Sequence, residues 1–266
     1  MTTTFVTNVA ADRPRRRRNL PTALRLAGAE LRLMTREPGV LVGLIAFPLV
    51  TVLVIAGSFG QSPDPDFGGV RPDQYYLSGY LGVVLAALGL LTIPTHLATS
   101  RELGVLRRFR ASGIGPVTLV LSEIALGTVL AMVAAAVVLV TGAQVYGLQA
   151  PANLLGVLAW FGLGLACFLA IGGALGSLLR SGRSAAAIGN LLFVPMFLLG
   201  GGGPPRAVMT SAMRTISDVL PLTHIVSGLR QSWLGTTDGP HNIWWPVVVT
   251  VLALGVSITT ARRRTD

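Results

Sequence analysis

Six apolar stretches constrain this chain more than any other feature: residues 39–60, 76–96, 117–141, 154–179, 185–200 and 243–261. A helix rises about 1.5 Å per residue, so roughly 20 residues cross the hydrocarbon of a bilayer. Each stretch is near that length, and backbone groups inside lipid must find their partners within the segment. The expectation is an all-α integral membrane protein of six transmembrane helices.

Charge sets the expected orientation. All 21 basic residues are arginine. Arg13, Arg15, Arg16, Arg17, Arg18, Arg25, Arg32 and Arg36 precede the first stretch, and Arg101, Arg107, Arg108 and Arg110 separate the second from the third. With Arg180 and Arg183 after the fourth and Arg262, Arg263 and Arg264 after the sixth, 17 arginines fall on one side. Only Arg71, Arg206, Arg214 and Arg230 fall on the other. Short cytoplasmic segments retain arginine, so both termini are expected in the cytoplasm. Tyr75, Tyr76 and Tyr80 then open the second span, and Trp244 and Trp245 the sixth, at the outer interface, as an aromatic belt would.

A net charge of +10 does not point to nucleic acid here, because the arginines are scattered along membrane flanks without a nucleic-acid-binding motif. Anionic lipid headgroups are the simpler partner. The lone Cys167 lies in the fourth span and offers no intrachain disulfide. The run Arg15 to Arg18 has the look of a twin-arginine signal, but mixed residues separate it from the first apolar stretch and no small-residue cleavage site follows. Residues 1–19, polar and aperiodic, read as a disordered basic cytoplasmic tail.

Residues 20–37 carry a helical period. Leu20, Ala23, Leu24, Ala27, Leu31 and Met34 share a sector of about 100°, with Arg25, Arg32 and Arg36 opposite. Such a helix is expected to lie in the membrane surface, with Pro38 and Gly39 turning the chain into the first span. The plainer alternative is a cytoplasmic helix packed on a partner. Residues 38–266 form the membrane domain.

Within the spans, acidic chemistry reduces to Glu123 in the third, about 10 Å along the helix from Pro116. A proton relay needs more than one such group, and the linear sequence shows no second carboxylate or deep histidine. His96 closes the second span and His224 precedes the sixth; both read as hydrogen-bonded or solvated side chains. Glu123 is therefore expected to be structural, pairing with a loop arginine or reaching the inner interface. Zinc-hydrolase, paired-cysteine and nucleophile-elbow signatures are missing. The chain also has no lysine, so it cannot build the phosphate-binding loop of an ATPase. Gly162, Ala166, Ala170 and Ala174, with Gly172 and Gly176, let another helix approach the fourth span, from this chain or a second copy. Pro48 and Pro195 are expected to kink their helices.

Two segments then carry a resemblance. The loop Glu102 to Pro116, ELGVLRRFRASGIGP, and the segment Ile216 to Arg230, ISDVLPLTHIVSGLR, resemble the membrane subunits of ABC type-2 exporters, similar to the daunorubicin-resistance permeases of actinomycetes. GGGPP, Gly201 to Pro205, sits where that family leaves its fifth span. The resemblance implies that Glu102, Gly104, Arg107, Arg108 and Arg110 form the element that docks on a separate ATPase, beside the connecting helix at residues 20–37. Leu103, Leu106 and Phe109, interleaved among the arginines, suit a protein groove better than free solvation. Were this loop a short helix, Leu103, Leu106 and Arg110 would share a side. Residues 204–234, with Pro221, Leu229 and Arg230, would be short re-entrant helices on the outer side.

The function implied is the permease subunit of an ATP-driven exporter of a drug, lipid or lipid-linked metabolite, paired with itself or a homologous permease in the bacterial plasma membrane. This chain would hold no cofactor, ATP and magnesium residing on the partner ATPase. A proton-coupled secondary transporter using Glu123, or a noncatalytic assembly subunit, are the alternatives.

Overall fold

The computed structural model describes residues 19–34, 46, 49–59, 61–105, 114, 116–235 and 239–262. Every regular element among them is helical. α1 (Asn19–Met34) is followed by a helical segment at 49–58 that contains a π-turn at Val52–Ala56. α2 (Pro72–Ala87) runs through a second π-turn, Leu88–Thr92, into α3 (Ile93–Glu102). α4 (Pro116–Tyr146), α5 (Leu154–Leu178) and α6 (Gly182–Gly200) complete the long helices. A short pair, α7 (Ser211–Val219) and α8 (Pro221–Leu234), precedes α9 (Trp244–Arg262).

Local chemistry fixes most of these boundaries. Pro72 and Pro221 open α2 and α8 at the first turn, where a missing N–H loses nothing. The Asn153 side chain accepts from the Gly156 N–H at the start of α5, and the Thr210 side chain from the Met213 N–H at the start of α7. Ser181 and Ser184 exchange side-chain and backbone hydrogen bonds at the start of α6, a capping box that begins this helix three residues before its apolar stretch.

Four described segments are long and apolar enough to cross a membrane: Pro65–Glu102, Thr118–Tyr146, Leu154–Leu178 and Gly182–Gly200. They correspond to the second through fifth stretches. The first stretch lies partly outside the described residues, Pro48 included, and the apolar part of α9, Trp244–Thr260, is shorter. Residues 1–18 and 35–37 also lie outside them.

The second span is the centre of the bundle. All of α2 is buried, which is how a helix apolar on every side must sit. α4, α5, α6 and α8 adjoin this span, while α9 packs chiefly on α5. The small-residue stripe of α5 divides accordingly. Gly172 approaches Gly89 and Gly176 approaches Leu97, both within this chain, whereas Gly162 meets open space.

Candidate functional site

Polar groups gather at three levels of the bundle. At the arginine-rich end, α3 stops at Glu102, and Gly104 follows with a left-handed φ of 71°. Glycine takes that conformation without the Cβ penalty and ends the helix. α3 itself therefore ends before Gly104. Leu103 sits in the turn, 66% exposed. Three hydrogen bonds anchor this turn. The Arg101 guanidinium donates to the Ser177 carbonyl at 2.9 Å and the Leu179 carbonyl at 3.4 Å, and the Gly182 N–H donates to Glu102 Oε2 at 3.0 Å. A carboxylate is favoured there because the first turn of α6 exposes unpaired N–H groups. Leu106, Arg107, Arg108, Phe109 and Arg110 lie outside the described residues, as does Arg36.

Further along the bundle, α1 packs on α4 through the buried Ala23 and Ala27. Leu31 is half-buried, while Leu20 and Leu24 remain exposed beside Arg25 and Arg32, so only part of the apolar face meets protein. The Ser122 hydroxyl donates to Glu30 Oε2 at 3.4 Å, and the adjacent Glu123 places Oε1 3.6 Å from His96 Nδ1. The described partner of Glu123 is thus a histidine rather than an arginine, and a second carboxyl stands beside the pair. Glu30 escapes notice in the sequence because it lies in a helix 92 positions from Ser122. The available signal was its place about 60° around α1 from Ala27, on the side that packs. Burial, and secondarily the neighbouring Glu123, push the Glu30 carboxyl up to about 7, against smaller opposing effects of His96 and Ser122.

At the other end, three successive glycine carbonyls past α6 have lost helical partners and are taken by side chains. Tyr76 Oη donates to the Gly203 carbonyl at 3.0 Å, Tyr80 Oη to that of Gly202 at 3.4 Å, and Arg230 Nη2 to that of Gly201 at 2.9 Å. Arg230 Nε also donates to the Tyr75 carbonyl at 3.0 Å, with the guanidinium 3.5 Å above the Tyr75 ring. These tyrosines are buried and do not form the aromatic belt expected of them. Trp244, by contrast, is 71% exposed. Around the clasp, Arg206 pairs with Asp218, and His224 Nε2 donates to the Asp218 carbonyl at 3.0 Å while Nδ1 accepts from the Asn242 N–H. Pro221, Leu229 and Arg230 thus belong to one buried helix, α8, wedged between α2 and α5.

The described residues thus form a bundle of apolar helices in which the buried α8 precedes α9. The model of the ABC-2 type transporter matches residues 23–234. The chain belongs to that family. Among curated proteins, the inner membrane transport permease YhhJ of Escherichia coli strain K12 is 25% identical over 186 residues, 69% of this chain and 49% of the relative. Its Shigella flexneri counterpart matches equally. The chain therefore spans about half the length of the curated relatives it matches. As an ABC-2 family member, it is a membrane transport component. The family match begins inside α1 and ends at the last residue of α8, so it covers all three polar levels.

Proposed function

We propose that this chain is the transmembrane permease subunit of an ATP-driven exporter of hydrophobic or amphipathic substrates. It works as a pair in the plasma membrane, and a separate nucleotide-binding subunit hydrolyses ATP. The observation that carries this reading is the exposed Leu103 turn, anchored through Arg101 and Glu102 to the ends of α5 and α6. An apolar tip held rigidly by two helices can take up motion from a partner and deliver it to the bundle. The lack of lysine supports a separate ATPase, since a phosphate-binding loop requires one. Arg107, Arg108 and Arg110 would meet acidic groups on that partner, steering association more than adding affinity.

Glu102→Ala and Leu106→Asp are each expected to lower ATPase copurification or substrate-stimulated hydrolysis at least tenfold at matched expression. A loss of that size corresponds to about 1.4 kcal/mol of coupling. Copurification with a tagged ATPase, together with stimulated hydrolysis and cellular accumulation assays, measures it. Wild-type association, stimulation and export in both variants would reduce the loop to a topological anchor. The second reading, a proton-coupled secondary transporter, is favoured by the carboxyls gathered at Glu123. It requires transport without any ATPase, which reconstitution of this chain alone would reveal.

The same reading places both termini and the Leu103 turn in the cytoplasm, with residues 64–73 and 204–242 outside. Single cysteines at positions 108 and 212, in a Cys167→Ala background, test it with an impermeant thiol reagent on intact cells. Labelling is expected at 212 only, and labelling at 108 from outside would overturn the orientation.

A further inference from the structure

We propose that Glu30, Glu123 and His96 form a proton-binding site at the seam between α1 and the spans, and that docking of α1 takes up one proton. Three titratable groups reach this seam from three separate helices: Glu30 from α1, His96 from α3 and Glu123 from α4. Glu123 and His96 are 3.6 Å apart, with side chains 19% and 22% exposed, and Glu123 Oε2 is buried without a hydrogen-bond partner among the described residues. An imidazolium here cancels one carboxylate and leaves the other uncompensated. Two ionised carboxyls at a half-buried seam repel each other and lose hydration, so the docked arrangement favours a neutral Glu30.

Among the described residues, the surrounding charges are directed away from the seam. Arg25 and Arg32, both exposed, stand about 140° and 160° around α1 from Glu30 at 100° per residue. Arg101 of α3 is directed to the Ser177 and Leu179 carbonyls, and Arg183 of α6 is exposed. α5 contributes no acidic or basic residue, and the Arg71–Asp73 pair of α2 sits at the opposite end of the bundle. Ser122 can hold Glu30 in either protonation state, donating to an oxygen when the carboxyl is ionised and keeping that bond when it is neutral. Release of the proton leaves net negative charge in the seam and drives Glu30, with α1, toward water.

The sign follows from linkage. The docked Glu30 carboxyl lies at about 7 and the undocked one near its ordinary 4.5. Both states are protonated below about 4.5, where docking is tightest. Between there and about 7 the docking equilibrium falls by up to about tenfold per pH unit, and above about 7 it is flat. α1 is the element expected to lie beside the coupling turn, so this site would set how firmly motion at the ATPase reaches the spans. The site itself does not require the exporter reading, and its test omits the ATPase.

The full chain with Cys167→Ala, spin-labelled at Gly28→Cys and Val140→Cys and placed in phosphatidylcholine nanodiscs, reports the α1–α4 distance by double electron–electron resonance. One short distance is expected at pH 5, with a longer population growing through pH 7 and constant by pH 8.5. Glu30→Gln is expected to stay docked throughout. Glu123→Gln, which removes the like charge, should move the midpoint down by a pH unit or more. A wild-type distance independent of pH would overturn the proposal, as would an unchanged transition in Glu30→Gln. If Glu30→Gln does not assemble, Glu123→Gln decides alone, and an unshifted midpoint there overturns it.

Discussion

Gly172→Ala is expected to destabilise the bundle by about 3 kcal/mol or more, while Gly162→Ala, ten positions earlier on the same helix, is expected to stabilise it. A Cβ on Gly172 would fall 2.6 Å from the Gly89 carbonyl oxygen and 3.0 Å from the Ile93 Cβ. The obstacle is mainly backbone, which cannot rotate away, so the helices must separate. Overpacking typically costs about 1–3 kcal/mol, and a rigid neighbour puts this site at or beyond the upper end. Gly89→Ala should behave alike, because its Cβ would meet the Phe168 carbonyl and lie 2.6 Å from the Phe168 Cβ. Nothing lies within 4 Å of where a Cβ on Gly162 would stand, so alanine brings only the helix preference of about 0.5–1 kcal/mol. Against a total stability of about 5–15 kcal/mol, the seam variants should lose most of their folded yield. Thermal unfolding and monodispersity after extraction measure both signs. A Gly172→Ala protein melting with the wild type would mean that the second span and α5 do not approach this closely. The Arg101 bond to the Ser177 carbonyl lies on the same seam, so its loosening would also reach the Leu103 turn.

Much of this architecture was legible because its signals are local. Apolar length marked the second to fifth spans, although the Ser181 capping box starts α6 three residues before its apolar stretch. The small-residue stripe announced a close contact but not its owner, since Gly172 and Gly162 carry the same sequence signal and face different surroundings. Tyr76 and Tyr80 were misassigned to a lipid interface because position along the membrane normal can be counted from the sequence, whereas rotation about the helix axis depends on neighbours. Burial on every side of α2 leaves no amphipathic period to reveal that rotation. Glu30 shows the same limit. Its spacing put it on α1, but its role depends on Glu123 and His96, which arrive from helices distant in sequence.

Arg230 supplies the sharpest test of the clasp, because its variants separate charge from geometry. Arg230→Met removes charge-assisted bonds to the Tyr75 and Gly201 carbonyls, each worth about 1.5–3 kcal/mol, and a cation–π contact worth about 0.5–2 kcal/mol. It also removes the desolvation of a buried guanidinium, an opposing contribution of several kcal/mol. The net loss is expected to be about 2–3 kcal/mol, dominated by the Gly201 carbonyl. The Tyr75 carbonyl loses less, because it also accepts from the Ser78 hydroxyl. Arg230→Lys keeps the charge but loses the planar fork that reaches two carbonyls while stacking on a ring. It should be less stable than Arg230→Met, since an ammonium would remain buried with fewer partners. Tyr76→Phe removes one neutral bond and should cost about 1 kcal/mol; combined with Arg230→Met it should cost less than the sum, because both side chains hold one glycine turn. Unfolding of the four variants beside the wild type in one detergent gives the order. Recovery of wild-type stability by lysine would show that positive charge alone holds the turn and that the fork geometry is incidental.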